Sequence, residues 1–431
     1  MKSGLYTKTV LILVAGLIIY LVATQGTKDI QSRLEELAGV RVEQAESTGI
    51  FKQVFALRIA QPMDHANPRG ETFTQRVFLS HISTTAPTVF VPVGGGTARN
   101  RIFEIATILK ANQVLVPQRF HAGADPGERN WDLLTAGQII DDYHHIVGLL
   151  KKVYTGPWLN GGISRGGTEA LLHRSLYADD FRATIAFASP VALSDRDPRI
   201  DDFLKNKVGT PSCRQKLFAF QRLLLSRADG LIPEIESICR KSGRNFSTDP
   251  RLMLELHVLE YPFSFWQWSP GDCRAIPEES ASSEEMHRHL LKTVGSYIWY
   301  CDTANKSREP STYMSFTQFG YYGYMAEHLR NLLKRVPENP TDKILGPYHT
   351  KMTYDPQPMR RLSDWLAKNG HRIIAIYGEN DPWTACAVDL PEGSETIKII
   401  VTGANHGVRI RHLSPAQRER ALNSLRKWLD I

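Results

Sequence analysis

The sequence is poor in the features that mark metal-cluster, fibrous and multi-span membrane proteins. It holds five cysteines in 431 residues, Cys213, Cys239, Cys273, Cys301 and Cys386, with no C-x-x-C pair and no zinc-ligand spacing. It shows no internal repeat and no low-complexity tract. No apolar run reaches the roughly 20 residues that span a bilayer comfortably. Basic charge is also scarce where a nucleic acid would need it. The net charge is 52 − 45 = +7, but Lys2 and Lys8 supply +2 and residues 408–431 supply six basic against two acidic side chains, leaving +1 for everything between. No zinc-finger spacing or groove-binding motif accompanies it, so no nucleic-acid partner is expected. Hydrophobic residues at 42% and charged residues at 23% lie in the ordinary globular range, and the length suits one large domain carrying an insertion.

What is present begins at the N-terminus. Lys2 and Lys8 precede fourteen uncharged residues, 10–23, followed by a polar stretch. This pattern reads as an export signal, either a cleaved signal peptide or an uncleaved anchor (1–26), with no cysteine behind it for a lipid. The body is therefore expected outside the cytosol, membrane-tethered only if the segment is retained, and disulfides are permitted there. Sequence proximity favours Cys213 with Cys239 and Cys273 with Cys301, leaving Cys386. Residues 27–45 read as a linker or short helix.

From Phe51 the pattern becomes β. Residues 51–59 and 73–79 alternate as half-exposed antiparallel strands, whereas 88–93 and 114–116 are short, β-branched and buried. Thr135-x-x-Gln138 is a capping box opening a helix that Gly156-Pro157 stops. A strand at 158–163, a helix from about Arg165 and a strand at 183–188 continue an alternation that implies a parallel sheet with right-handed crossovers. Strand signals then fade until 373–377 and 397–401, and a helix at 415–429 ends the chain. Between them, segments such as 214–227, 286–294 and 325–335 are amphipathic. The chain is thus expected to divide into a core at 46–190, a helical insertion at 191–361 and the rest of the core at 362–431.

One constellation carries chemistry. Gly162-Ile163-Ser164-Arg165-Gly166 fits G-x-S-x-G between a predicted strand and a predicted helix. Small residues there permit the sharp turn that lifts a serine above the sheet and aims the N–H of the next residue, Arg165, at a developing oxyanion. Asp381 follows the buried strand 373–377 in Glu379-Asn380-Asp381-Pro382, and His406 follows the last strand in Asn405-His406-Gly407. Serine, acid and histidine in that chain order are those of a nucleophile, an orienting carboxylate and a base. The fold expected is therefore an α/β-hydrolase sheet with a large, mostly helical insertion between the nucleophile and acid segments. Glu379 competes for the acid role but lies nearer the strand. Gly94-Gly95-Gly96 after strand 88–93 offers a second oxyanion donor at Gly95 or Gly96. Asp141, His144 and His145 lie at helical spacing, yet no further ligands gather near them in sequence, so they read as a packing face. No metal and no cofactor is expected.

Several stretches together resemble the secreted bacterial tripeptidyl and prolyl tri/tetrapeptidyl aminopeptidases, serine peptidases distantly related to prolyl carboxypeptidase. They include Gln61-Pro62-Met63-Asp64-His65, Asn130-Trp131-Asp132-Leu133-Leu134-Thr135, Ser164-Arg165-Gly166-Gly167, residues 261–267 and 354–359, Gly378-Glu379-Asn380-Asp381-Pro382-Trp383 and Gly403-Ala404-Asn405-His406-Gly407. The resemblance implies Ser164, Asp381 and His406 as the triad and release of short peptides from free N-termini, often after proline. Gln118-Arg119-Phe120-His121-Ala122 departs from the His- or Glu-led segment these enzymes usually carry. The insertion holds 14 aromatics in the 64 residues 261–324, enough to line a pocket, with Phe265, Trp266, Trp299 and Tyr322 as candidates to touch a peptide. Glu260 is the candidate carboxylate for its ammonium group. An esterase or lipase of the same fold, or a catalytically silent binding protein, are the alternatives.

Overall fold

The computed structural model describes residues 29–95, 99–127, 129–336, 352–393 and 395–431; the expected export segment lies outside them. Nine strands form one mixed sheet: β1 (Val40–Ala45), β2 (Gln53–Pro62), β3 (Thr72–His81), β4 (Thr88–Pro92), β5 (Asn112–Val116), β6 (Trp158–Ile163), β7 (Ala183–Phe187), β8 (Ile373–Gly378) and β9 (Thr396–Val401). Their order is β1-β2-β3-β5-β4-β6-β7-β8-β9. The β1/β2, β2/β3 and β3/β5 pairs are antiparallel, and all pairs from β5/β4 onward are parallel. Every residue of β4, β5, β7 and β8 is buried, as a parallel sheet covered on both faces requires.

The helices among the described residues are α1 (Ile30–Glu35), α2 (Glu104–Ile108), α3 (Ala136–Leu150), α4 (Arg165–Leu176), α5 (Pro198–Asp202), α6 (Pro211–Ser226), α7 (Ala228–Lys241), α8 (Pro250–Trp268), α9 (Ser283–Val294), α10 (Asp302–Met314), α11 (Gln357–Asn369) and α12 (Pro415–Leu429). Alternating strand residues choose the face. Phe90 packs with Ile139 and Tyr143 of α3, Leu171 of α4 and Leu362 of α11. Its neighbours Val89 and Val91 point the other way, into a second cluster that includes Ile105 of α2 and Leu425 and Trp428 of α12. Thr135 caps α3 through the Gln138 N–H, but the box is half made. The Gln138 side chain instead donates to Asp64 and accepts from the His65 N–H.

α3 is also tied down by a buried ion pair. Arg119 donates Nε and Nη2 to the two carboxylate oxygens of Asp142 at 2.8 and 2.7 Å, and both side chains are fully buried. The remaining guanidinium N–H groups reach the carbonyls of Met63 and Leu133 at 2.9 and 3.0 Å, and His65 meets Asp142 at 2.8 Å. Two of the stretches that carry the resemblance, and the segment that departs from it, thus converge on one salt bridge.

Between β7 and β8 the described residues contain no strand. α5–α9 have a core of their own, including Phe220, Leu224, Met253, Tyr261 and Met286, which continues into Trp383 and Cys386 just after β8, whereas Met314 at the end of α10 belongs to the core of the sheet. α8 is buried on almost every face, the pattern of a helix at the centre of a bundle. The amphipathic stretch expected at 325–335 forms only a short 3-10 turn, Glu327–Leu329.

Two other expectations change. Residues 27–45 hold the expected short helix, α1, and also β1, which pairs along β2 from Val40↔Ile59 to Ala45↔Val54. The disulfide joins Cys213 to Cys273, with Cα atoms 5.6 Å apart, and Cys239, Cys301 and Cys386 are free. Proximity in sequence misled because α6 packs along α8. The start of α6 lies beside the end of α8, where Gly209 and Gly271 both close on the Trp266 ring, while Cys239 is carried off at the far end of α7.

Candidate active site

The site forms at the carboxyl ends of β6, β8 and β9. Ser164 sits between β6 and α4 with φ +54 and ψ −131, a conformation that side-chain-bearing residues rarely hold. The turn closes because its neighbours lack side chains. A Cβ on Gly162 would overlap the Gly166 carbonyl, and one on Gly166 would overlap the Pro92 carbonyl at the end of β4. The Ser164 N–H is held by the Phe187 carbonyl of β7 at 2.8 Å. Arg165 starts α4, so its N–H belongs to the first turn of the helix, where backbone donors have no intrahelical partner.

Asp381 follows β8 and is fully buried. One carboxylate oxygen accepts from the Trp383 N–H at 3.2 Å, and the other meets His406 Nδ1 at 2.7 Å. With Nδ1–H donated to Asp381, His406 Nε2 is left as the acceptor a base requires. Glu379, the other carboxylate considered for the acid, is exposed and accepts from the Gly403 N–H at 2.8 Å, tying the His406 loop to β8. That loop is gripped from the insertion too. The His406 N–H donates to the Gln267 carbonyl at 3.2 Å, Asn405 donates to the Ser269 carbonyl at 3.0 Å, and the Trp268 ring meets the imidazole edge-on at 5.0 Å. Among the described residues no hydrogen bond joins Ser164 to His406, a looseness common before substrate binds.

On the oxyanion side, Gly94 turns with φ +67 over the start of α4. Gly95 follows, and a side chain there would collide with Ser311 of α10 and His121; Gly96 lies outside the described residues. His121 Nε2 accepts from the Ser311 hydroxyl at 2.8 Å, and burial drives its pKa down to about 4. The Arg165 guanidinium also reaches α10, donating to the Ser311 carbonyl at 3.0 Å and to the Ser315 hydroxyl over the Phe319 ring. Sequence reasoning chose Arg165 for its backbone and missed this side chain, although a cation beside a nucleophile was signal enough.

The aromatic candidates separate. Phe265 and Trp266 are interior residues of the insertion, 2% and 3% exposed, and offer a peptide almost no surface. Trp299 is 56% exposed, under the Arg308 guanidinium. Tyr322 stacks on Phe263 at 3.7 Å, with Trp383, two residues beyond Asp381, edge-on to both rings. The Tyr322 hydroxyl donates to Glu260 at 2.8 Å, as does Ser264, and Tyr324 adds a third hydroxyl. Burial raises the Glu260 pKa against these donors. Of Asp141, His144 and His145, only His144 joins a potential ligand set, with His173 and Asp180. Both imidazoles contact the same Asp180 oxygen at 2.8 Å, while Asp141 accepts from Tyr177 and His145 contacts Gln61. Two clefts among the described residues of the insertion, one by Phe218 and His328 and one by Phe220 and Leu332, are not lined by Ser164, Asp381 or His406.

Comparison with known proteins adds a family pattern. Residues 23–431 match the family described as PS-10 peptidase S37. The chain is 30% identical over 412 residues to the prolyl tri/tetrapeptidyl aminopeptidase of Streptomyces mobaraensis, covering 94% of this chain and 85% of that protein. Similar solved structures include VinJ and the proline iminopeptidase of Mycobacterium smegmatis. Each is 13% identical with a TM-score of 0.42, over 86% of this chain and 98% and 97% of theirs.

Proposed function

Because the chain belongs to the PS-10 peptidase S37 family and is therefore a serine peptidase of the α/β-hydrolase fold, we propose that it is an exported aminopeptidase releasing tri- or tetrapeptides from free N-termini, with proline among the residues accepted before the scissile bond. Ser164 Oγ attacks the carbonyl as His406 Nε2 takes its proton, and Asp381 stabilises the imidazolium that results. The oxyanion is received by the Arg165 N–H and the Gly95 or Gly96 N–H. His406 then returns the proton to the leaving amine, and water hydrolyses the acyl-enzyme by the same steps in reverse. The observation that carries this reading is the buried Asp381–His406 bond, presented by the strands that follow the Ser164 turn in chain order.

Specificity is assigned to the insertion. Glu260, ringed by the hydroxyls of Ser264, Tyr322 and Tyr324, is a carboxylate that an α-ammonium group would neutralise. The proline preference is proposed from the name of the Streptomyces relative. Export is supported by the charged-then-apolar start of the chain and by the disulfide.

The test is hydrolysis of matched tripeptidyl-proline and tripeptidyl-alanine amides with free and acetylated N-termini, with Ser164→Ala as control. Cleavage confined to free N-termini and lost in Ser164→Ala is expected. Ser164-dependent cleavage of simple esters without any amide cleavage would replace the proposal with an esterase. Glu260→Gln is expected to erase the preference for uncapped peptides.

A further inference from the structure

At the opposite end of α4 from Ser164, two imidazoles and a carboxylate meet at one point. His144 stands in the middle of α3, His173 near the end of α4, and Asp180 closes the 3-10 turn Ala178–Asp180 that follows α4. His144 Nδ1 and His173 Nε2 each lie 2.8 Å from the same oxygen, Asp180 Oδ2, and the three side chains offer donor atoms that all fall within 4.8 Å of one another. The rings are held in place. His144 stacks on Tyr177 with centroids 3.8 Å apart and planes within 6°, and the Tyr177 hydroxyl is fixed in turn by Asp141 at 2.6 Å. His173 is fully buried, with the Phe181 ring edge-on at 4.8 Å. Burial lowers the His173 pKa and keeps its ring neutral, while the two imidazole contacts outweigh burial at Asp180 and hold that carboxyl below its ordinary range. Only the His144 side, 46% exposed, is open to solvent.

We propose that His144, His173 and Asp180 form a binding site for a divalent transition-metal ion of the zinc class. Two imidazole nitrogens and one carboxylate oxygen suit zinc, whereas magnesium and calcium take oxygen ligands. Three protein ligands with one open side leave room for a water in the fourth position. Bonds of about 2.0–2.2 Å to a tetrahedral ion set the ligand atoms about 3.3 Å apart, so each imidazole has to draw back from Asp180 Oδ2 by about 0.5 Å. The exposed His144 and the turn that carries Asp180 can supply that movement. The charges facing the site are Lys151, whose Nζ lies 3.8 Å from Asp180 Oδ1 and donates to the Asp179 carbonyl at 3.1 Å, and Asp141 behind Tyr177.

One feature limits the affinity. Among the described residues His173 Nδ1 is buried without a hydrogen-bond partner. A metal-bound imidazole ordinarily donates that second nitrogen to an acceptor, and losing the acceptor costs about 10–100-fold, so binding on the order of 10 μM is expected. An ion held there would fasten the middle of α3 to the end of α4, the helix that begins at the Ser164 turn, and would stabilise the folded chain by binding it alone. His144 looks like part of a packing face in the sequence because both of its partners come from a different helix and the turn beyond it. The site stands apart from Ser164, Asp381 and His406 and does not depend on the peptidase reading.

The experiment uses the full-length protein without a histidine tag, stripped with a chelator, and titrates it with Zn²⁺ by calorimetry and with Co²⁺ by visible absorption. His144→Phe is the matched variant, since it removes one ligand at an exposed position and keeps a ring on Tyr177. Wild type should bind one equivalent that His144→Phe lacks, give the intense bands of four- or five-coordinate Co²⁺ that Zn²⁺ abolishes, and melt at a higher temperature with saturating Zn²⁺. Lys151→Ala removes a competing cation and should tighten binding about threefold; it serves as the second variant should His144→Phe fail to fold. No binding by wild type, equal binding by His144→Phe, only the weak bands of six-coordinate Co²⁺, or unchanged or weaker binding by Lys151→Ala would overturn the proposal and leave His144, His173 and Asp180 as a hydrogen-bonded brace.

Discussion

Asp142→Asn is the most demanding test of how the core around the site is held. The substitution keeps shape and removes charge, leaving the Arg119 guanidinium with no counter-ion while both residues remain without solvent. A buried pair broken on one side costs about 3–5 kcal/mol, mostly the uncompensated charge. The upper end is expected here for two reasons. Asp142 accepts two parallel bonds at 2.8 and 2.7 Å, and a neutral amide can mirror only one. The Arg119 groups already bound to Met63 and Leu133 also hold the guanidinium in place and keep it from turning out to water. Against a typical total of about 5–15 kcal/mol, a third or more of the stability would go. Urea unfolding followed by far-ultraviolet circular dichroism and tryptophan fluorescence measures it. The pair Arg119→Met with Asp142→Leu should lose less than Asp142→Asn alone, because no charge is stranded. A loss below about 1 kcal/mol in Asp142→Asn would refute the reasoning and mean that water or another anion reaches Arg119.

Asp381→Asn keeps the hydrogen-bonding shape but allows the wrong His406 tautomer, and kcat on any cleaved peptide amide should fall about 10⁴-fold with little change in folding. Peptide mapping without reduction should recover Cys213 linked to Cys273 and alkylatable Cys239. Replacing Cys213 by serine should cost about 4 kcal/mol for releasing a loop of that length, read as a lower urea midpoint. His121 and His257 are both buried, and burial depresses each from about 6.5 to about 4. The unfolded chain takes up their protons first, so their contribution is intact above about pH 6.5 and is lost as pH falls toward 4, by about 3 kcal/mol each. Unfolding midpoints at pH 7, 5.5 and 4.5 should fall accordingly.

The parts of the molecule that are legible in the sequence are those set by local chemistry. β6, the start of α4 and the whole of α12 fall where the sequence pattern puts them, and β8 begins where its apolar run does. Ser164, Asp381 and His406 stand after the expected strands because a strand's end is a local event. What was not legible depends on tertiary neighbours. β1 is a polar edge strand whose existence rests on pairing with β2, and its exposed face carries no apolar signature. Phe265 and Trp266 looked like pocket residues because aromatic density cannot distinguish a bundle interior from a pocket wall. The disulfide follows helix packing and not spacing along the chain.

The bonds from Gln267 and Ser269 tie the seat of His406 to the end of α8. A hinge that lifted the end of α8 from the sheet to admit a long chain would break both bonds to residues 405 and 406, at about 0.5–1.5 kcal/mol each. The imidazole would lose its seat in the same motion. Under the proposed function, any movement that separates the end of α8 from the loop after β9 would cost activity before it cost the fold.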